Sequence, residues 1–169
     1  MKKIKNINGV ILTEALIAVA MLVIASVATT SVIKNSVNAT KLSKNYLIAE
    51  NYLTEGIEVV ESIRNSNWLR KPLDKESCWL VPNPDISASA NCDLVNTEKY
   101  YKIAFVDNNW RLVEENNNVF KIEANPNFER KITFLEIDSD KAIFSVELKW
   151  MDGAKDFSIS RNHILYNYK

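Results

Sequence analysis

The feature that most constrains the fold is an uninterrupted apolar run from Ala15 to Ile33. These 19 residues contain no charge, glycine or proline, and 15 of them are apolar. At about 1.5 Å per residue, a helix of this length spans roughly 28 Å, which is close to the thickness of a bilayer core. A helix inside a water-soluble domain is seldom apolar on every face, so the run favours a membrane-spanning helix over a core helix.

The charges before and after the run predict its orientation. Lys2, Lys3 and Lys5 give residues 1–9 a formal charge of +3 with no acid. The whole chain has 21 basic and 21 acidic residues, so the rest carries 18 against 21, or −3. Basic flanks stay on the cytoplasmic side, which predicts a cytoplasmic N-terminus and an outer C-terminal region. The balanced total charge gives no electrostatic reason to expect a nucleic-acid partner.

A secretory signal peptide also begins with basic residues and an apolar run. Glu14 would lie inside the apolar region of such a peptide, and the run is longer than that region usually is. Residues 18–20 (Ala-Val-Ala) match the small-x-small cleavage pattern, but such matches are common in an alanine-rich helix. The sequence therefore favours a helix that remains part of the protein.

Glu14 is the one acid at the edge of the apolar run. The nine Leu, Ile and Val residues of the run favour insertion by about 3–5 kcal/mol, whereas a carboxylate at the bilayer centre costs about 2.5–3.5 kcal/mol. The carboxylate therefore has to stay at the interface, where a helix N-terminus favours it, or meet a cation. Its position alone leaves both interpretations open.

The N-terminal segment as a whole resembles the class III signal of type IV prepilins and type II secretion pseudopilins. The resemblance rests on a basic leader, KKIKNIN, that ends in Gly9, on Glu14 five residues later, and on the apolar helix that follows. It implies a pilin-like ladle fold, in which a long helix packs on a sheet. It also implies that prepilin peptidase cleaves between Gly9 and Val10 on the cytoplasmic side and methylates the new amine of Val10.

In this family the carboxylate at the position of Glu14 is taken to meet the amine of the adjacent subunit. Cleavage would place an ammonium on Val10 in the same low-dielectric layer, so assembly would relieve a charge that a single subunit tolerates poorly. The same two groups are four residues apart on one helix and can also pair within a subunit. Both arrangements remain open.

The helix is predicted to continue beyond the apolar run, from Val10 to about Ser66. An apolar stripe with alternating spacings of four and three indicates one continuous helical face, and it comprises Leu42, Tyr46, Ala49, Leu53, Gly56, Val60 and Ile63. Ile48, Tyr52, Ile57 and Val59 widen it, which suits a helix packed on a sheet. Gly56 costs about 1 kcal/mol relative to alanine, so its place on the stripe predicts a strand that crosses close by.

Charges on the second half of this helix are sorted by position. Lys34, Lys41 and Lys44 follow the apolar run, where they can meet lipid phosphates. Four acids occupy the outer part: Glu50, Glu55, Glu58 and Glu61. The two zones can pair between neighbouring subunits of a filament, or the acids can form a solvated helix face, and exposed pairs are worth little.

After Pro72 the pattern changes to short alternating strands, which predicts an antiparallel meander. The predicted strands are 100–106, 110–114, 119–124, 129–137, 142–150 and 155–161, with connections at 107–109, 115–118, 125–127, 138–140 and a hairpin turn at Asp152-Gly153. The chain has three glycines and 20 asparagines, so asparagine is expected to supply many left-handed turns. The fold class is therefore α+β, with segments 1–9 (leader), 10–33 (transmembrane helix), 34–71 (amphipathic helix) and 72–169 (β head).

The two cysteines, Cys78 and Cys92, flank a loop that contains Pro82 and Pro84. A disulfide between them would stabilise the head by about 3 kcal/mol in the chain-entropy model, and an outer location permits it. Two buried thiols are the alternative. Their spacing fits no zinc signature.

The sequence predicts no catalytic residues, cofactor or metal site. His163, the single histidine, lies beside Ile164 and Leu165 and is expected to be structural. Asp138 and Asp140 are too few for the six to eight oxygens of a calcium site, so a hairpin turn is the better interpretation.

The expected function is structural rather than enzymatic. The resemblance implies a subunit of a type IV pilus or related filament, and the segment TEALIAVA is similar to V-type minor pilins and I-type minor pseudopilins. Its expected partners are other pilin subunits, prepilin peptidase and the inner-membrane assembly platform. The expected location is the cytoplasmic membrane and then a surface or periplasm-spanning filament. The alternatives are a pseudopilin of type II secretion and a single-pass anchored binding module that never polymerises.

Overall fold

The computed structural model describes residues 8–70, 78–82, 94–116 and 120–167. One helix, α1, extends over Asn8–Arg70, and six β-strands follow it. The chain divides into two compact units, Met1–Asn45 and Tyr46–Lys169, so the division falls within α1.

Helix α1 contains 63 residues, which corresponds to about 95 Å at 1.5 Å per residue. It has no proline, so no position lacks the N–H group that the helical hydrogen bonds need. The helix extends four residues beyond the predicted end at Ser66, to Arg70.

The six strands all pair antiparallel. They are β1 (Tyr100–Val106), β2 (Asn109–Glu114), β3 (Lys121–Ile122), β4 (Asn125–Ile137), β5 (Lys141–Asp152) and β6 (Lys155–Tyr166). The prediction of a long helix and an antiparallel sheet in an α+β fold is confirmed, and β1 has the predicted bounds.

The order of strands across the sheet is β2-β1-β4-β5-β6, and β3 pairs with β4 off this path. The predicted simple meander is therefore wrong for the first half of the sheet, because β1 pairs with β4 through Tyr100↔Thr133 and Tyr101↔Ile132. The second half, β4 to β6, follows the predicted order with the connections at 138–140 and at Gly153.

The predicted strand 119–124 and the predicted loop 125–127 are both wrong in detail. The paired part of the strand is Lys121–Ile122, and β4 begins at Asn125. Ile122 pairs with Asn125, so residues 123 and 124 form a two-residue turn, and the chain reverses before Pro126 rather than at it. Val119 lies outside the described residues.

Left-handed backbone is rarer than the asparagine content predicts. Asp107 (φ 50°) and Asn108 (φ 63°) form the β1–β2 turn, and Gly153 (φ 65°) lies in the β5–β6 turn. Among the described residues, Asn108 is the asparagine with a positive φ. The expectation of many left-handed asparagines is wrong for this part of the chain.

The core forms where the second part of α1 packs on one face of the sheet. Ala49, Leu53, Val60 and Ile63 of the predicted stripe are at most 1% exposed. They pack in one cluster with inward-facing side chains of β4 and β5, which include Ile132, Phe134, Phe144, Val146 and Leu148. The stripe therefore performs the packing role that its spacing predicted.

Gly56 lies close to the sheet. A Cβ atom built on Gly56 would lie 2.9 Å from Val146 Cγ1 and 3.2 Å from Arg130 Cδ. The predicted close crossing of a strand at Gly56 is confirmed, and both β4 and β5 contribute to it.

Residues 78–82 complete the core beside the end of α1. Trp79, Leu80 and Val81 are at most 1% exposed. The Asn67 side-chain amide donates to the Trp79 and Val81 carbonyl oxygens at 3.2 and 3.0 Å, which fixes this segment against the helix.

Candidate functional site

The cleavage residues proposed from sequence lie at the beginning of α1. The helix begins at Asn8, so Gly9 and Val10 fall within its first turn. The first four N–H groups of any helix lack acceptors within it, so a terminal turn opens at little cost.

Glu14 lies exposed on α1, one turn after Val10. The part of the chain that the structure describes places no hydrogen-bond or ion-pair partner beside its carboxylate. In the uncleaved chain the Val10 nitrogen is a neutral amide, so the cation expected from processing is absent at this stage.

The apolar run that follows exposes large side chains around the whole helix. Ten Leu, Ile, Val and Met side chains between Ala15 and Ile33 are 57–69% exposed. The helix is long and apolar enough to cross a membrane, and its most apolar window has no share buried inside the chain. Its apolar surface therefore has no counterpart in the described part of the protein.

Three of the four hydroxyl groups in the run are satisfied by the helix itself. Ser26 Oγ donates to the Leu22 carbonyl oxygen at 2.7 Å, and Thr29 Oγ1 donates to the Ala25 carbonyl oxygen at 2.8 Å. Thr30 makes the same i−4 bond at 2.8 Å. Because a polar group without a partner is costly in hydrocarbon, these bonds make the segment compatible with lipid.

Three lysines follow the apolar run on the same helix. Lys34, Lys41 and Lys44 are all exposed, and no acid among the described residues pairs with them. Their positions at i, i+7 and i+10 place them on one side of α1. They form an unpaired basic zone.

Three of the four acids on the outer part of α1 contact basic side chains of the sheet. Glu50 Oε2 lies 2.8 Å from Arg161 Nη2, Glu61 Oε1 lies 2.9 Å from His163 Nε2, and Glu55 Oε1 lies 3.4 Å from Arg130 Nη1. These three side chains are still 38–47% exposed, so the acids contact both solvent and the sheet. They bind the helix to β4 and β6.

Glu58 differs from the other three acids. It is exposed, and no cation among the described residues pairs with it. Of the acidic zone proposed for contacts between subunits, Glu58 is thus the member that remains available.

Arg130 is a buried cation that the sequence interpretation missed. Its side chain is 7% exposed, and Nη1 donates to the Tyr52 carbonyl oxygen at 3.1 Å. Burial lowers the pKa of the guanidinium, and Glu55 opposes this shift. Arg130, Ile132 and Phe134 are two residues apart along β4, so their side chains lie on the same face of the sheet. This spacing is the sequence signal that could have placed Arg130 on the inner face.

His163 joins β6 to the helix. Its ring lies 5.6 Å from the Phe144 ring in an edge-on arrangement, while Nε2 faces Glu61. These contacts agree with the structural side chain that the sequence interpretation expected.

The acidic connection between β4 and β5 is a hairpin held by main-chain bonds. The Asp138 N–H donates to the Lys141 carbonyl oxygen, and the Asn167 N–H donates to the Asp140 carbonyl oxygen, both at 2.8 Å. Among the described residues, no group of three or more His, Cys, Asp or Glu side chains is arranged to hold a metal ion.

Cys78 is 2% exposed and is disulfide-bonded. Cys92, the partner predicted from sequence, lies outside the described residues, so the Cys78–Cys92 pairing stays a prediction.

Comparison of the chain with protein-family models, curated proteins and solved structures finds no match. The assignment of function therefore depends on the residues and geometry of the chain itself.

Proposed function

We propose that this protein is a prepilin-type structural subunit, most simply a minor one, of a type IV pilus or related filament. In this proposal prepilin peptidase removes residues 1–9 and methylates the amine of Val10. The mature helix then leaves the cytoplasmic membrane when the assembly platform adds the subunit to a filament.

The observation that carries the proposal is the fully exposed apolar helix directly after the motif Gly9-x-x-x-x-Glu14. An anchor alone needs about 20 apolar residues and no acid at its edge. A subunit that exchanges lipid for neighbouring helices needs the same apolar surface in both environments. A carboxylate that gains a cation at assembly supplies a reason for Glu14.

The first experiment tests processing. Mass spectrometry of the protein isolated from its own host should find a chain that begins at Val10 with one added methyl group. Gly9→Leu should remain full length, because the peptidase needs a small residue there. Ile7→Leu is the control, since it changes the leader but keeps Gly9. A native chain that still begins at Met1 would refute the proposal.

The second experiment tests assembly. Glu14→Ala should be cleaved normally but fail to enter filaments, measured as the amount of the subunit in the sheared surface fraction. Ser26→Ala is the matched control, because it also removes a polar group from the apolar segment. Normal incorporation of Glu14→Ala would refute the role given to this carboxylate.

A pseudopilin of type II secretion would share both results. Cross-linking of the mature protein, which begins at Val10, separates the two systems. If the cross-linked subunits are surface pilins, the protein belongs to a pilus; if they are secretion pseudopilins, it belongs to the alternative.

A single-pass anchored binding module is the second candidate, and one observation favours it. The in-chain pairing of Glu50, Glu55 and Glu61 leaves the outer part of α1 with Glu58 as the acid available to another subunit. A module that never polymerises would keep residues 1–9, so the processing experiment separates this candidate from the first.

A further inference from the structure

The sheet splits where β4 changes partners. Strand β1 pairs with β4 at Tyr101↔Ile132, and the same register would next place Ile103 opposite Arg130. The Arg130 N–H instead donates to the Phe120 carbonyl oxygen at 2.8 Å. From this point the segment that begins at Phe120 takes the place of β1 beside β4.

Among the described residues, the split leaves one edge of β1 without a partner strand. Main-chain groups of successive residues point to opposite sides of a strand. The Tyr100 carbonyl oxygen accepts from the Glu115 N–H on the β2 side, so Ile103 and Phe105 direct their N–H and C=O groups to the other side. In the described part of the chain, no donor or acceptor meets these groups.

The pairing of β1 with β2 supports this assignment. Ile103 lies opposite Leu112, whose N–H points away from β1 and donates to the Pro82 carbonyl oxygen at 3.0 Å. Ile103 and Leu112 therefore form a pair without mutual hydrogen bonds, and the polar main chain of Ile103 faces outward from β2.

A cleft of about 320 Å³ lies between this edge and the segment that includes β3. We call it the β1–β3 cleft; Ile103, Phe105 and Trp110 line one side, and residues 120–124 line the other. The Phe105 and Trp110 rings lie 4.8 Å apart, and Phe105 is 57% exposed. The cleft thus combines an apolar surface with main-chain groups that no described residue meets.

The directions of the bordering strands suit an inserted strand. Both β1 and β3 run antiparallel to β4, so they run in the same direction as each other. A segment that enters antiparallel to β1 is also antiparallel to β3. One extended segment can therefore meet both edges in the pairing mode that sheets favour.

We propose that the β1–β3 cleft binds an extended segment of a partner protein, which adds as a strand to the free edge of β1 at Ile103 and Phe105. Its main chain bonds to these residues, and a bulky apolar side chain packs on the Phe105 and Trp110 rings. The site goes beyond the proposed filament role and does not depend on it.

Charges at the cleft define the order of charges in the segment. Lys102 pairs with Glu115 at 2.6 Å, and Arg130 faces Glu55. Lys121 and Glu123 also line the cleft, and no described residue pairs with either of them. Glu123 lies in the turn that directly follows β3, so along a segment antiparallel to β3 a base beside Glu123 precedes an acid opposite Lys121, which gives the order Lys-x-Glu.

The test uses acetylated and amidated heptapeptides of alternating pattern with Lys-x-Glu or Glu-x-Lys at the centre. The residue x is varied among Val, Ile, Leu, Phe, Tyr and Trp. Binding to the full chain in detergent micelles is measured by fluorescence anisotropy. We expect at least one Lys-x-Glu peptide to bind about threefold or more tightly than its reverse.

Three controls identify the mode of binding. Methylation of the peptide nitrogens that face β1 should weaken binding about tenfold, because it removes the main-chain donors. Phe105→Ala should also weaken binding about tenfold, whereas Leu135→Ala, which removes another half-exposed apolar side chain on β4, should not. Bound peptide should slow amide exchange at Ile103 and Phe105.

Two results would overturn the proposal. The first is that no peptide binds the wild-type protein more tightly than it binds Phe105→Ala, or that the methylated peptides bind the wild-type protein as tightly as the unmethylated ones. The second is self-association of the chain that Phe105→Ala abolishes without any peptide binding, since this result would assign the cleft to a second copy.

Discussion

Gly56 offers a direct test of how α1 packs on the sheet. Alanine at this position would place its Cβ atom 2.9 Å from Val146 Cγ1 and 3.2 Å from Arg130 Cδ. Carbon atoms pack favourably at about 3.5–4.0 Å, so either the helix or these side chains would have to move.

The structure restricts both movements. Val146 is fully buried in the middle of β5, and its branched side chain has few rotamers available. Arg130 is held by its bonds to the Tyr52 carbonyl oxygen and Glu55. Overpacking of this kind costs about 1–3 kcal/mol, while the helix propensity of alanine returns about 1 kcal/mol. We expect Gly56→Ala to lower the free energy of unfolding by about 1 kcal/mol.

The assay is urea unfolding of the full chain in detergent micelles, followed by tryptophan fluorescence. Asn51→Ala is the control, because Asn51 lies on the exposed face of the same helix. It should raise the free energy of unfolding by a few tenths of a kcal/mol through helix propensity alone.

Val146→Ala provides the second half of a double-mutant cycle. It removes the Val146 Cγ atoms that the new Cβ would meet. The double variant should therefore lose about 1 kcal/mol less free energy of unfolding than the sum of the two single losses. Two results would refute the close crossing. One is that Gly56→Ala raises the free energy of unfolding by the full helix-propensity gain of about 1 kcal/mol; the other is that the effects of Gly56→Ala and Val146→Ala are additive.

Two further predictions concern the head. Burial raises the pKa of Glu147, but hydrogen bonds from Lys131 and Lys149 outweigh it, so the pKa is lowered overall. Because the folded-state pKa is lowered, the ionised carboxylate stabilises the fold at pH 7, and this contribution is lost as pH falls through the folded-state pKa. Glu147→Gln should therefore lower the free energy of unfolding by up to about 1 kcal/mol at pH 7 and have no effect at pH values where the carboxyl group is protonated in both states, as unfolding curves at several pH values would reveal. Reduction of the disulfide, or Cys78→Ser, should lower the free energy of unfolding by about 3 kcal/mol. Non-reduced peptide mapping should recover Cys78 linked to Cys92. A disulfide-linked dimer instead would contradict this pairing.

The sequence predicted the helix stripe well because packing on a sheet imposes a strict period. Ala49, Leu53, Val60 and Ile63 repeat at helical spacing, and each is at most 1% exposed. The short interval between these residues means that local geometry alone determines their common face. Gly56 followed from the same period, since a residue of poor helix propensity on a buried stripe needs a packing reason.

The partners of the strands could not be obtained in this way. Alternation defines which side chains of β4 face the helix, but it does not define which edge meets which strand. The exchange of β1 for the Phe120 segment is made by the hydrogen bond from the Arg130 N–H to the Phe120 carbonyl oxygen and by the pairing of β3 with β4. The β1–β3 cleft follows from that exchange, so sequence patterns alone did not indicate it.

The charges on α1 show a second kind of limit. Helical spacing placed Glu50, Glu55 and Glu61 on the outer part of the helix, but their partners lie more than 70 residues away in β4 and β6. Arg161 and His163 alternate in phase with Leu165, so their inward direction was available from β6 once its length was known. The sequence placed Arg161 at the end of one predicted strand and His163 in a probable terminal strand, whereas the structure has both in β6.

The first unit poses a free-energy problem that the described part of the chain does not solve by itself. Ten large side chains between Ala15 and Ile33 keep 57–69% of their surface exposed. Covering that surface is worth on the order of 10–20 kcal/mol, which exceeds the net stability of many whole domains. Such a surface must therefore be covered by lipid, by other helices, or by each in turn. Lipid alone accounts for the apolar side chains, yet it gives no role to a carboxylate at their edge. In the proposed filament, a second subunit that brings an ammonium to Glu14 would account for both, because the cation would offset the cost of the charge while the neighbouring helices would cover the apolar side chains.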